Sequence, residues 1–219
     1  MEMKLYPIMV NLSGKRVLVV GGGAVASRKI ADLLACGALV TIIAPEIDDS
    51  IVQLKESNPE RVDVQKRNYA PGDCAGALLV FSAADNAAVN QQVFQEARER
   101  GIFVNAADDP PNCSFFVPSW FNRDALIVAV STTGVSPSLA ARMRRKIEDV
   151  IPDNIEDVLS ALEQVRAMLK NDPDYLALNT ETRGAILKKI VNDDGLLSGL
   201  VRCHKDKTLK IFIKNLSSN

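Results

Sequence analysis

A run of β-branched residues meets three consecutive glycines and then a helical segment in the stretch RVLVVGGGAVASRKIADLL, residues 16–34. No other feature narrows the fold as much. Val17, Val19 and Val20 favour a strand, and apolar residues recur at helical spacing beyond the glycines. Gly21, Gly23 and Ala26 fit G-x-G-x-x-G/A, the opening of a dinucleotide-binding βαβ unit. Gly21 makes the tight turn, Gly23 lets the backbone approach a pyrophosphate, and Ala26 keeps helix and strand close. The pyrophosphate would rest on the free N–H groups and positive dipole end of a helix starting near Ala24. Gly21, Gly22, Gly23, Ala24, Val25 and Ala26 are therefore cofactor-binding candidates. The motif nominates a dinucleotide and is silent about the substrate.

The same rhythm continues along the chain. Strands are expected over residues 6–11, 16–20, 39–44, 62–67, 77–82 and 102–105, and helices over 24–36, 47–57 and 86–100. Val89, Val93, Phe94 and Ala97 form one apolar stripe of the last helix, and Gly37 and Gly101 follow helices as terminating glycines do. Alternating β and α segments predict an α/β fold, a Rossmann-type doubly wound parallel sheet. After Pro110-Pro111 the pattern changes. Two strands are expected over 114–120 and 124–131, joined at 121–123 as a hairpin outside the main sheet. Ser136-Pro137 supplies a helix cap and an N1 proline for a helix over 139–150. Further helices fit 154–170 and 180–192, and periodicity is weak from Asp193 onward. The expected organisation is a nucleotide-binding domain over 1–112, a small β and helix region over 113–150, and a helical C-terminal region over 151–219.

Bulk properties exclude some partners. With 26 basic against 27 acidic residues, nothing implies a general attraction to nucleic acid or membrane. No apolar run approaches the ~18 residues needed to cross a bilayer, and Glu2, Lys4 and Pro7 interrupt the first apolar stretch, unlike a signal peptide. Cys36, Cys74, Cys113 and Cys203 are widely spaced, which suits small core residues better than a zinc site or a disulfide framework. A soluble cytoplasmic protein with no resident metal is expected.

Strand ends of such a sheet converge on the cofactor crevice. The second strand ends before Pro45-Glu46, and Glu46 lies about where the ribose-binding acid of an NAD site is expected. Glu46, Asp48 and Asp49 would repel a 2′-phosphate, so NAD is favoured over NADP. Ala83, Asp85 and Asn105 fall on the crevice rim, although Asp85 reads better as the cap of the helix that follows. Acid–base candidates are few. Tyr6, Tyr69 and Tyr175 are not followed by lysine at the Tyr-x-x-x-Lys spacing of short-chain dehydrogenases, and the sole histidine, His204, lies late in the chain. Any chemistry must run on carboxylates or without acid–base help.

Two blocks, YPIMVNLSGKRVLVVGGGAVASRKIADLLACGALVTIIAPE and FVNAADDPPNCSFFVPSWFNRDALIVAVSTTGVSPSLAARMRRKIE, resemble the precorrin-2 dehydrogenase family, the dehydrogenase portion of siroheme synthases. The resemblance covers residues 5 to 150 and rests on Asn-x-x-Asp, Ser-Phe-x-x-Pro and Gly-x-Ser-Pro in that order. It implies NAD-dependent oxidation of precorrin-2 to sirohydrochlorin, with iron insertion by some relatives, and a homodimer that exchanges the segment after the signature Asp. The chain is too short to hold the methyltransferase domain of the fused enzymes as well. The resemblance assigns chemistry to Asp108, a possible proton acceptor or anchor for pyrrole N–H groups; a turn residue ahead of Pro110 is the other reading, and the adjacent Asp109 blurs the choice. The same signatures nominate Ser114 and Ser136, the latter better explained as a helix cap. A polycarboxylate substrate calls for cations, and helical spacing puts Arg142 and Lys146 on one face, though a solvated face paired with Glu148 and Asp149 accounts for them equally. A non-catalytic NAD-sensing module would share the glycine loop and lack the two signature blocks.

Overall fold

The computed structural model describes residues 4–107 and 109–217; Asp108 lies outside them. The chain divides into two compact units, Met1–Val117 and Pro118–Asn219.

The first unit is built on five parallel strands, β1 (Arg16–Val20), β2 (Leu39–Ala44), β3 (Val62–Lys66), β4 (Leu79–Ser82) and β5 (Phe103–Ala106), in the order β3-β2-β1-β4-β5. Helices α1 (Ala24–Ala35), α2 (Asp49–Ser57) and α3 (Ala87–Glu99) cover it. Alternation along β1 explains the two layers. Val17 and Val19 join Ala26, Ile30 and Ile51 in one core, and Leu18 and Val20 join Val93 and Ala97 in the other. A central parallel strand is buried on both faces, so it reads as one apolar run. The strand order reverses between β1 and β4, where a doubly wound sheet opens its ligand crevice.

The crossover from β3 to β4 carries no helix. Side chains hold it: the Arg16 guanidinium donates to the carbonyls of Ala75 and Asp73 at 2.5 and 3.2 Å, and Arg67 pairs with Asp73 at 2.7 Å. Tyr69 donates to Glu96 of α3, and burial pushes its hydroxyl far above the usual phenol range.

Residues 6–11, expected as a strand, form no regular element and join no ladder, and Tyr6 is 86% exposed. Residues 114–117 likewise form no strand; the hairpin strands of the second unit are β6 (Ser119–Arg123) and β7 (Leu126–Val130). Residues 121–123, expected as the connection, belong to β6, with Phe121 buried. Arg123 pairs with Leu126, so the turn is Asp124-Ala125, with Asp124 at φ 53°; aspartate tolerates this left-handed conformation better than most residues.

Five helices complete the second unit: α4 (Pro137–Val150), α5 (Ile155–Asn171), α6 (Thr180–Val191), α7 (Asp194–Lys205) and α8 (Leu209–Ser217). Ala161, Val165, Leu169, Ile190, Leu200 and Ile213 form the core shared by α5 to α8. Among the described residues no helix is long and apolar enough to cross a membrane. Of the four cysteines only Cys74 is fully buried; Cys36 is exposed, which corrects the expectation of core packing for it.

Candidate functional site

The glycine loop is fixed by steric necessity. Gly21 has φ 128°, and a Cβ there would overlap the carbonyl of Ala83 beyond β4. A Cβ on Gly22 would overlap the carbonyl of Glu46 beyond β2. Hydrogen bonds join the same elements: Gly21 N–H donates to the Ile43 carbonyl at 3.0 Å, and Asp48 N–H to the Gly22 carbonyl at 2.8 Å. Gly23 differs, because a Cβ on it would meet nothing within 4 Å. Gly23 is also the N-cap residue of α1, and no side chain caps that helix end. Its glycine is thus unexplained by packing within the protein. Open space and free N–H groups at a helix start fit an approaching phosphate. Ala26, fully buried, keeps α1 against the sheet.

A cleft opens at the C-terminal ends of β1, β4 and β5. Val25, Ala26 and Lys29 of α1 line one side, Ser82, Ala83, Asn105 and Ala107 the other, and Val19 and Phe81 lie beneath. The Asn105 amide donates to the Phe115 carbonyl at 3.0 Å, which uses its nitrogen to hold the following segment. That segment runs along β5 and closes its edge. Ser114 Oγ accepts from Val104 N–H at 2.7 Å, Ser114 N–H donates to the Val104 carbonyl at 2.8 Å, and Cys113 Sγ accepts from Ala106 N–H at 3.2 Å. Burial raises the Cys113 thiol above its ordinary range. Phe115 packs edge-on against Phe81, with ring centroids 5.3 Å apart. Ser114, nominated for substrate, is engaged with the β5 backbone.

Pro45 and Glu46 are exposed beyond β2. Asp48 caps α2, accepting from Ser50 N–H at 2.9 Å and from the Ser50 hydroxyl at 2.5 Å; the hydroxyl bond above all keeps its carboxyl below the usual range. Asp85 does not cap α3. Asn86 does, with its Oδ1 accepting from Ala88 and Val89 N–H at 2.9 and 3.3 Å, and Asp85 stands exposed. The next residue wins because it holds the extended conformation that a cap requires.

The structure thus gathers Gly21–Ala26, Ala83, Asn105 and the β2 end around the strand termini of the first unit. Ser136, Arg142 and Lys146 belong to the second. Ser136 Oγ accepts from Leu139 N–H at 3.2 Å and caps α4. Arg142 and Lys146 are exposed, while Arg144 pairs with Glu148 at 2.5 Å. Sequence reasoning missed Lys29, whose signal was its place three residues beyond Ala26 on the same helix face. It also missed Asn90 of α3, whose amide grips the end of β4 and which carries no local signal.

Comparison with known proteins agrees with this geometry. A family model described as "Putative NAD(P)-binding" matches residues 8–119, and one described as "Sirohaem biosynthesis protein central" matches residues 123–149. The siroheme synthase of Pseudoalteromonas translucida is 37% identical over 168 residues, 77% of this chain and 35% of that protein. The siroheme synthase of Acinetobacter baylyi is 34% identical over 199 residues, 89% of this chain and 43% of that protein. The chain therefore spans less than half the length of these relatives. A solved structure titled "SirC, precorrin-2 dehydrogenase" superposes with a TM-score of 0.74 at 25% identity, covering 98% of this chain and 100% of that one. Matched over half its length by the first model, and over β7 and most of α4 by the second, the chain belongs to the NAD(P)-binding family represented in siroheme synthases.

Proposed function

We propose that this protein is an NAD-dependent dehydrogenase that oxidises precorrin-2 to sirohydrochlorin in siroheme biosynthesis. The observation that carries the reading is the loop at Gly23: glycine without a packing reason, at an uncapped helix start, beside a cleft that Ala83, Asn105 and Ala107 border. The full-length likeness to a precorrin-2 dehydrogenase supports the choice of substrate.

Gly23 and the first N–H groups of α1 would hold the pyrophosphate, and Ala83, Asn105 and Ala107 would border the nicotinamide, which supplies a hydride acceptor when bound. Exposed Glu46 suits the ribose hydroxyls. Asp48, kept ionised by Ser50, and its neighbour Asp49 add negative charge at the β2 end, and no basic residue lies between Pro45 and Ser50. That balance favours NAD over NADP.

Oxidation removes a hydride and a proton from the macrocycle. Asp108, two residues beyond β5 in the sequence, is proposed to take the proton, a role open to a carboxylate within reach of the leaving hydrogen. Exposed Arg142 and Lys146 are proposed to meet substrate carboxylates, and Ser114 and Ser136 to keep the flanking segments in shape. A homodimer formed through residues 113–150 is part of the same reading, supported by the exposed apolar side chains of Ile127, Val135, Leu139 and Met143.

Anaerobic incubation with precorrin-2 and either NAD or NADP tests the proposal. Faster sirohydrochlorin formation with NAD is expected, and ferrous iron added afterwards asks whether the protein also makes siroheme. Binding of NAD with no NADH formed would instead identify a nucleotide-sensing module.

A further inference from the structure

We infer that Asn90 is a positioning residue for the dinucleotide, acting through the Ala83–Ala84 peptide and touching no ligand itself. The inference rests on the nicotinamide reading of the crevice.

The peptide after β4 is trapped between two surfaces. On one side lies Gly21, where a Cβ would overlap the Ala83 carbonyl and approach Ala84 N to 3.1 Å. On the other lies Asn90, in the first turn of α3. Its Oδ1 accepts from the Ser82 hydroxyl at 2.7 Å and from Ala84 N–H at 3.1 Å, and its Nδ2 donates to the Ala84 carbonyl at 2.8 Å. One side chain therefore satisfies both backbone groups of Ala84 and the hydroxyl of fully buried Ser82. Two further bonds fix the strand end itself: Ala83 N–H donates to the Val20 carbonyl at 2.7 Å, and Ala107 N–H donates to the Ser82 carbonyl at 2.8 Å.

Beyond Ser82 the chain has left the sheet ladder, and Ala84 finds no strand partner for its N–H or its carbonyl. Without Asn90 the peptide could rotate, since Gly21 limits its approach from one side only. Rotation would change the lining of the cleft at Ala83 and the packing of Ala83 over the glycine loop. The acceptor and the donor sit on two atoms of one group, which an amide offers, whereas a hydroxyl has a single oxygen for both and an aliphatic side chain has neither.

Asn90→Ala is expected to raise the Kd for NAD about tenfold, the loss of one to two net hydrogen bonds' worth of preorganisation. With NAD saturating, kcat should stay within about twofold of wild type while KM for NAD rises, because no reacting atom is touched. Val93→Ala serves as the control. It removes volume from a fully buried site on the same helix, in the core that Val80 and Ala84 share, and leaves every Asn90 hydrogen bond in place; at matched loss of Tm it should leave NAD affinity within about twofold. Asn90→Asp keeps the acceptor for Ser82 and Ala84 N–H but turns a carboxylate oxygen toward the Ala84 carbonyl in place of the donor, so its rise in Kd should match or exceed that of Asn90→Ala. Unchanged NAD affinity in the Asn90 variants, or an equal loss in Val93→Ala, would overturn the inference. Wild-type protein that binds neither NAD nor NADP would remove the cofactor reading on which it stands, a result distinct from either.

Discussion

At residues 21–22 the backbone is fixed by what is missing: any side chain would collide with the carbonyl of Ala83 or Glu46. Along β5 it is fixed by what side chains add. Ser114 and Cys113 accept from Val104 and Ala106 N–H, replacing the strand that an open edge lacks. Both regions border the same crevice, yet they should fail differently. A steric lock fails all at once, since overpacking against backbone cannot relax. Polar bracing fails in steps of about one hydrogen bond. Gly23 belongs to neither class, because nothing in the protein demands its glycine, and that exception points to a ligand.

The largest effect is expected at the carboxylate proposed to take the proton. Asp108→Asn should lower precorrin-2-dependent NADH formation by roughly a hundredfold or more and leave NAD affinity within about twofold. Loss of NAD binding by this variant in a titration would make Asp108 a structural turn residue. Next come the glycines, which separate lock from site. Gly22→Ala should lower stability by about 3 kcal/mol, visible as a fall in Tm. Gly23→Ala should leave Tm within a degree or two and weaken NAD binding by about tenfold or more. Equal Tm losses in both would dissolve the distinction between them.

Ser114→Ala sharpens the other half of the comparison. It leaves the Val104 N–H without its acceptor, at a cost of about 1–2 kcal/mol in a chemical denaturation experiment, with NAD affinity nearly unchanged. The smallest effect lies on the β3–β4 crossover. Arg67, through its hydrogen bond above all, holds the Asp73 carboxyl below its ordinary value. An acid with a depressed folded pKa adds stability above its unfolded pKa near ~4 and loses it as pH falls through the folded value. Arg67→Gln should therefore cost about 0.5 kcal/mol near neutral pH, the discounted worth of a half-exposed pair. The gap between variant and wild type should close below about pH 4. A gap that widens on acidification would contradict the pairing.

The unit with the sheet was readable because its central strands β1, β2 and β4 are largely apolar runs and its helices carry one stripe each. β1, the glycine loop and α1 fall where the residue pattern puts them, and Ser136 caps α4 as its Pro137 neighbour suggests. Elements set by distant partners were not readable. The 6–11 segment has strand-like composition, but no neighbouring strand pairs with it. Residues 114–117 look like a strand and instead brace β5 with side chains. In the C-terminal helices Leu196, Leu200 and Cys203, then Leu209, Ile213 and Leu216, recur at helical spacing. Arg202, Lys205, Lys207 and Lys210 dilute the signal, and Lys207 at φ 57° breaks it between α7 and α8. Of the candidate site, the glycines and strand ends were legible because they are local. Asn90 was not, because its purpose exists only once α3 lies beside the end of β4.

The most direct test is an anaerobic single turnover in which NADH and sirohydrochlorin are measured together. One NADH formed per precorrin-2 consumed, in step with sirohydrochlorin and dependent on the protein, is the result this account predicts. NAD bound at equilibrium with precorrin-2 left unoxidised would contradict it.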